Sequence, residues 1–233
     1  MKTILIVGFG SIGNRHFKNI LNNYKMKIII CTKRKDLGRL TGKNILVVDS
    51  ISKALIHKPN IALITNETKN HIKVATILAQ NGLDLFLEKP LSDSMKGVDN
   101  LLKIVKDKKL ITQMGCNFRF YPPILKIKKL IDENKIGRII SIQVENGSYL
   151  PDWHPDENYT IGYAAKKNLG GGVILTQIHE IDYLYWFFGK IKNISSISGK
   201  YSDLALDVED ISASILKFEN NIIGELHLDF LQR

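Results

Sequence analysis

Residues 3–17 read TILIVGFGSIGNRHF, and this stretch decides the fold. Thr3 to Val7 is an unbroken apolar and β-branched run, the pattern of a strand covered on both faces. Gly8, Gly10 and Gly13 follow in G-x-G-x-x-G spacing, and "SIGNRHFKNILNN" (11–23) continues with helical periodicity, Ile12, His16, Ile20 and Leu21 falling on one side. A strand that runs through this spacing into a helix is the context in which the motif has a mechanism. The first glycine turns the chain, the second lets the backbone approach a pyrophosphate, and the third lets helix and strand pack closely. The helix amides then face the phosphates. Gly8, Phe9, Gly10, Ser11, Ile12 and Gly13 are therefore the expected dinucleotide cradle. The bland alternative is a glycine turn that holds no ligand.

Working outward, 26–32, 44–50, 61–66, 83–89 and 110–117 are further strand-like runs, separated by helical stretches such as "HIKVATILAQNG" and "SMKGVDNLLKIVKDKK". Continuous apolar strands alternating with helices predict a doubly wound, parallel α/β domain. Its second strand ends "IIICTKRKD". NAD sites usually carry an acid there for the ribose hydroxyl. Here Thr32, Lys33 and Arg34 occupy the tip and no acid appears before Asp36, so NADP is expected over NAD. The alternative is that Lys33 and Arg34 are solvated loop charges.

Near residue 118 the pattern changes. After a helix around "PPILKIKKLIDENK", the segments 138–149, 210–218 and 221–231 alternate, with "ENN" (219–221) as a turn. Ile211, Ala213 and Ile215 share one face of one strand, and Ile222, Gly224, Leu226, Leu228 and Phe230 one face of the next. The expected division is 1–118, the dinucleotide domain, and 119–233, an α+β domain with an open, mainly antiparallel sheet. That sheet is expected to be incomplete at its carboxyl end, or completed by another molecule, because an exposed final strand is an aggregation liability.

The 233 residues are 44% hydrophobic with a formal net charge of +10, enough for one large core or two smaller ones. The charge reads first as a lysine-rich solvated surface and, as the sharper alternative, as a bias toward anionic ligands such as nucleotides; the lysines are scattered, and "KRK" and "KIKK" lack interleaved aromatics, which disfavours nucleic acid. No uncharged apolar window reaches the length of a membrane span, and the amino terminus does not read as a signal peptide. Two cysteines, Cys31 and Cys116, are too few for a disulfide scaffold and point to a reducing cytoplasm. No metal site is read.

"LFLEKPLS" (85–92) ends a buried strand with a carboxylate, an ammonium and a proline. Ligands of such sheets bind beyond the strands' carboxyl ends, so Glu88 and Lys89 are expected to enter the cofactor crevice. A cis Lys89–Pro90 bond, cheap only before proline, would turn Lys89 toward a substrate. The alternative is a surface ion pair. In "NLGGGVILTQIHEIDYLYW" (168–186), His179 and Asp182 are three apart and share a helix face, with Thr176 one turn earlier. A histidine beside a carboxylate suits a general base; a half-buried polar pair is the alternative. The long loop 148–168 offers Trp153, His154, Tyr159, Tyr163 and Lys166 for stacking and hydrogen bonding to a polyhydroxylated ligand, or is an ordered surface loop.

Taken together, "GFGSIG", "TNETKNH" (65–71), "EKP" (88–90), "GCNFRF" (115–120) and "GGGVILTQIHEID" (170–182) resemble the Gfo/Idh/MocA family, that of glucose-fructose oxidoreductase and inositol dehydrogenase, over essentially the whole chain. The resemblance implies an NAD(P)-dependent oxidoreductase acting on a sugar, nucleotide sugar, inositol or related polyol, and a homo-oligomer built through the open sheet. It implies that Lys89 lies near the substrate hydroxyl and nicotinamide, with Glu88, Thr65 and Asn66 along the cofactor. His71 matches the histidine of the family's T-P-x-x-x-H-like stretch, with Asn66 where proline is usual. Asn117 and Arg119 match a segment near cofactor and substrate, and His179 matches the catalytic histidine. Many relatives carry an aspartate four residues before that histidine; here the region is one residue shorter, with Thr176 near that place, so either Asp182 or Thr176 shares its work or the usual Lys–Asp–His set is incomplete. The competing expectations are a reductase of an imine or biliverdin-type substrate and a regulatory NADP-binding protein without chemistry.

Overall fold

Strand β1 (Thr3–Val7) is buried at every residue, as its unbroken apolar run requires. Around it Lys27–Cys31 (β2), Ile45–Val48 (β3), Ile61–Ile64 (β4), Asp84–Leu87 (β5) and Thr112–Met114 (β6) form a six-stranded sheet of order β3-β2-β1-β4-β5-β6. Every pairing in it is parallel. Strand order reverses between β1 and β4, the switch point at which doubly wound sheets bind ligands.

Successive residues of β1 serve opposite layers. Ile4 and Ile6 pack with Phe17 and Ile20 of α1 (Ser11–Asn23). Leu5 and Val7 pack with Ala54 of α2 (Ile51–Ile56), Ala75 and Leu78 of α3 (His71–Gln80) and Leu101 of α4 (Val98–Asp107). The buried side of α1 is Gly13, Phe17 and Ile20. The side expected from spacing is therefore rotated: Leu21 is 41% exposed, because Phe17 closes onto Phe9 edge to face at 5.7 Å. Burial pushes the Cys31 thiol above its usual range, with the Asp49 charge adding to it, so Cys31 packs as an apolar residue.

The structure describes residues 1–37, 40, 44–154 and 156–233. They form two units, Met1–Gly115 and Cys116–Arg233. The division falls three residues before the 118/119 boundary read from the pattern, since β6 stops at Met114 and the 3-10 turn Asn117–Phe120 belongs with the second unit.

The second unit carries α5 (Pro122–Asp132), β7 (Ser141–Gly147), α6 (Val173–Thr176), α7 (Ile178–Phe188), β8 (Ile191–Gly199), β9 (Ile211–Phe218) and β10 (Ile223–Asp229). Its sheet has the order β7-β10-β9-β8. Two pairings are antiparallel, while β7 and β10 run parallel. The β9–β10 turn places Asn221 at φ 66°, a left-handed conformation asparagine tolerates. On β10 the covered face is the expected one, Gly224, Leu226 and Leu228 being buried. On β9 the covered face is Ser212, Ser214, Leu216 and Phe218. Ile211, Ala213 and Ile215 therefore take the open face, because antiparallel pairing sets Leu226 beside Ser214 and Leu228 beside Ser212.

Phe218 is fully buried, with Phe188 edge-on at 5.6 Å. Gly224 makes room for it, since a Cβ there would stand 3.2 Å from the ring. Phe218→Ala is expected to cost about 3–5 kcal/mol, measured by denaturant unfolding of the whole chain. Among the described residues no helix is long and apolar enough to cross a membrane.

Candidate functional site

In the first unit the three glycines have three different reasons. Gly8 adopts φ +92°, and a Cβ would lie 2.6 Å from the Asn66 amide nitrogen. At Gly13 a Cβ would lie 2.5 Å from the Gly8 carbonyl oxygen and 2.8 Å from Thr65 Oγ1. At Gly10, the N-cap of α1, a Cβ would meet nothing within 4 Å. The first two are demanded by the fold, and the third leaves open space over a helix N-terminus that has no side chain to cap it. A pyrophosphate fits that arrangement. Phe9 offers only its backbone, its side chain being core; Ser11 is exposed and Ile12 half-buried.

At the tip of β2, Arg34 donates from Nη1 to the Phe9 carbonyl at 3.1 Å, and its amide donates to Thr32 Oγ1 at 3.2 Å. The guanidinium is thus drawn toward the glycine turn, while Lys33 is exposed.

Two expected cofactor contacts are spent inside the protein. The Thr65 hydroxyl donates to the carbonyls of Val7 (3.1 Å) and Gly8 (2.9 Å) and is buried. His71 is 1% exposed, with Nδ1 2.9 Å from the Pro90 carbonyl and Nε2 2.9 Å from the Asn66 carbonyl. Both side chains are buried, with their polar atoms taken up by loop carbonyls around the glycine turn.

Glu88 and Lys89 follow β5, and the Lys89–Pro90 bond is cis. The Glu88 carboxylate is fixed on three sides: Oε1 lies 2.6 Å from His16 Nε2, Oε2 accepts the Lys89 amide at 3.3 Å, and a Cβ at Gly115 would sit 2.9 Å from Oε2. His16 also meets Phe86 edge to face at 5.2 Å. Sequence reasoning placed His16 on a helix side without a role. The available signal was its position three residues past Gly13, one helical turn from the cradle.

In the second unit the single helix expected to carry Thr176, His179 and Asp182 is two. It breaks at Gln177 (φ −98°, ψ 40°), whose side chain donates to the Asp229 carbonyl on β10 at 2.9 Å. Thr176 therefore ends α6 and His179 is the second residue of α7, so the one-turn spacing inferred between them does not apply. Glu209 accepts the Ile174 amide at 3.3 Å and caps α6.

His179 is stacked on Phe118, ring centroids 4.5 Å apart and 14° between planes. The next residue, Arg119, grips Asp182 in a two-pronged pair, Nε to Oδ2 at 2.9 Å and Nη2 to Oδ1 at 2.8 Å. The hydrogen bond with Asp182 raises the Arg119 guanidinium pKa further above its already high value. Two consecutive residues of one turn thus hold two positions of one α7 face. The spacing set Asp182 beside His179 and the resemblance set Arg119 near cofactor and substrate; in the structure these two side chains are paired with each other. Trp186 lies under Arg119 and Lys128, at 5.6 and 5.9 Å. Tyr183 is pushed up to about 12 by burial, with the Glu180 charge adding to it; it stays a neutral phenol and is no general base. We expect Asp182→Asn to cost about 1 kcal/mol of stability in urea unfolding, since the pair is only partly shielded from water.

In loop 148–168, Trp153 donates to Ser148 Oγ at 2.6 Å and meets Phe230 edge-on at 5.5 Å. It packs against the second core and is a structural residue, contrary to the ligand-stacking expectation. Tyr159 accepts the Ala205 amide at 3.1 Å. Tyr163 is 41% exposed and Lys166 half-buried. Asn117 is exposed at the start of the 3-10 turn. Among the described residues no group of three or more His, Cys, Asp or Glu is arranged to hold a metal.

Residues 2–116 match the model of an oxidoreductase family with an NAD-binding Rossmann fold, and residues 124–233 match the GFO/IDH/MocA C-terminal domain. Levoglucosan dehydrogenase of Pseudarthrobacter phenanthrenivorans is 26% identical over 200 residues, which are 75% of this chain and 50% of that protein. Myo-inositol 2-dehydrogenase of Thermotoga maritima is 25% identical over 231 residues, 94% of this chain and 66% of that protein. The solved WlbA dehydrogenase of Chromobacterium violaceum, in complex with NADH and UDP-GlcNAcA, superposes with a TM-score of 0.87 at 19% identity, covering 99% of this chain and 68% of that one. The chain spans about half to two thirds of the length of the curated relatives it matches.

Proposed function

The chain belongs to the Gfo/Idh/MocA oxidoreductase family, and from that premise we propose that it transfers hydride between a nicotinamide and a carbinol carbon of a sugar, nucleotide sugar, inositol or similar polyol. The observation that carries this reading is the pairing of free space at Gly10, over the N-terminus of α1, with a held Glu88-Lys89-Pro90 turn beyond β5 of the same sheet.

In this reading the backbone from Gly8 to Gly13 holds the pyrophosphate. Asn66 and Glu88 contribute along the dinucleotide, and the same role is proposed for Asn117. The nicotinamide supplies the hydride chemistry when bound. Lys89 binds the substrate oxygen and stabilises the negative charge that develops on it. His179 takes the hydroxyl proton in the oxidative direction and returns it in reduction, its ring plane set by Phe118. Tyr163 and Lys166 are the remaining loop candidates for substrate hydroxyls. The test is calorimetric titration with NAD and NADP, followed by a screen for nicotinamide reduction across polyols, inositols and nucleotide sugars. Binding without turnover on any of them would favour the regulatory reading, and absence of binding would overturn both.

NADP is the proposed preference, supported by Arg34 leaning onto the glycine turn and by the lack of an acid at the β2 tip. Arg34→Ala is expected to weaken NADP about tenfold, ~1.4 kcal/mol, and to leave NAD affinity within about twofold in the same titrations.

A homo-oligomer through the open sheet face is also proposed, in a reducing, cytoplasmic setting. Ile197, Ile215 and Ile223 stand on that face at 71%, 49% and 40% exposure, an apolar patch that a second copy would cover. Light scattering should show a multimer that Ile215→Lys weakens.

A further inference from the structure

Five polar contacts in the first unit join loops that the proposed reaction treats separately. From the carboxyl end of β4, the Thr65 hydroxyl donates back to the carbonyls of Val7 and Gly8, at the end of β1. The next residue, Asn66, presents its carbonyl to His71 Nε2, and His71 Nδ1 meets the carbonyl of Pro90, beyond β5. Two residues earlier, Glu88 Oε1 lies 2.6 Å from His16 Nε2, and His16 stands on α1, the helix that the glycine turn opens. The path therefore closes: glycine turn, Thr65–Asn66, His71, Pro90, Glu88, His16, and back to the glycine turn through the first turns of α1. β1, β4 and β5 are consecutive neighbours in the sheet, so the circuit runs across the carboxyl ends of these three strands.

Burial makes this circuit stiff. His71 is 1% exposed, Thr65 5%, and the His16 and Glu88 side chains 20% and 12%. Buried polar groups lose more when a partner is removed than they gain on pairing. In either neutral tautomer His71 donates to one of its two carbonyls, and doubly protonated it donates to both; glutamine at 71 reproduces one contact at most. Pro90 has no N–H of its own, so its carbonyl is what the loop offers for anchoring. Lys89 lies between the two anchored residues.

We propose that His16 and His71 are positioning residues which clamp Lys89 from both sides through Glu88 and Pro90 and fix its backbone relative to the glycine turn. The inference rests on the assignment of Lys89 to the substrate oxygen. Its purpose is geometric: a displacement of about 1 Å in a reacting group costs on the order of 10² in rate, and loop ends of separate strands hold such a tolerance only when tied to one another. Neither histidine needs to touch cofactor or substrate.

The test compares His16→Leu, His16→Gln and His71→Gln, all in the full chain, by NMR-detected amide exchange at Lys89 and by steady-state kinetics. His16→Leu should speed exchange of the Lys89 amide about tenfold and lower kcat about 10- to 100-fold, with KM for the dinucleotide changing by less than about threefold. His16→Gln, whose amide reaches about as far as Nε2, should restore most of both. His71→Gln should speed exchange at Lys89 and at Gly8 together. Unchanged exchange at Lys89 in a folded His16→Leu protein overturns the clamp, as does a kcat loss in that variant that glutamine does not rescue. Should His71→Gln fail to fold, the His16 pair alone decides. If the wild-type chain turned over no polyol, the oxidoreductase reading would fall, while the exchange rates would still accept or reject the clamp.

Discussion

Lys89→Met is expected to lower kcat about 10²- to 10³-fold while dinucleotide affinity holds within about twofold; this is the largest functional effect expected of a single side chain. Methionine keeps the unbranched stem and removes the ammonium, so packing beside Glu88 changes little. Under the proposed mechanism, what would be lost is a preorganised positive charge on the substrate oxygen, a contribution worth about 2.7–4 kcal/mol when one such donor is removed. The check is kcat and KM on the substrate found by the polyol screen, with the dinucleotide titrated separately. Retention of turnover within about tenfold, ~1.4 kcal/mol of barrier, would show that Lys89 does not do this work.

The second large effect separates two glycines of one motif. Gly13→Ala places a methyl carbon 2.5 Å from the Gly8 carbonyl and 2.8 Å from Thr65 Oγ1. Helix α1 must then move off β1, and the Thr65 hydrogen bond to Gly8 must stretch. Overpacking of this kind costs about 1–3 kcal/mol, and dinucleotide binding should fall with it. Gly10→Ala meets no protein atom within 4 Å. Its stability should stay within about 0.5 kcal/mol of the parent, yet dinucleotide affinity should drop at least about tenfold, because the methyl group enters the space where the backbone meets the pyrophosphate. Denaturant unfolding and calorimetric titration on the same three proteins read out both halves. Equal affinities for the parent and Gly10→Ala would remove the pyrophosphate from that place.

Much of the first unit was legible because its signals are local. A glycine needed for φ +92° at position 8, or for close approach at position 13, is visible as a glycine, and the parallel sheet announces itself through strands apolar on both faces. The turn at 219–221 was likewise readable, its asparagine standing in the left-handed region. The site was less legible. Asp182 and His179 do share a helix face, but that face is met by Phe118 and Arg119 from some sixty residues away, and nothing in the spacing foretold which partner each would take. Trp153 looked like a ligand-stacking aromatic and is held by Ser148 and Phe230. On β9 the serines face inward and the isoleucines outward, the reverse of what hydrophobicity suggests, because the register is set by pairing with β10.

By itself the amino-acid order determined most of the elements and the parallel first sheet, and it put forward the glycine turn, Glu88, Lys89 and His179 as candidates. Periodicity, glycine conformation and strand-end chemistry act within a few residues. Only the tertiary structure decided that Thr65, His71 and His16 tie the loops to one another, that α6 and α7 break at Gln177, and that Arg119 and Asp182 neutralise each other. Those outcomes depend on which distant group offers a hydrogen bond at under 3 Å once the chain has folded, and a polar side chain being buried takes whichever partner the packing brings to it.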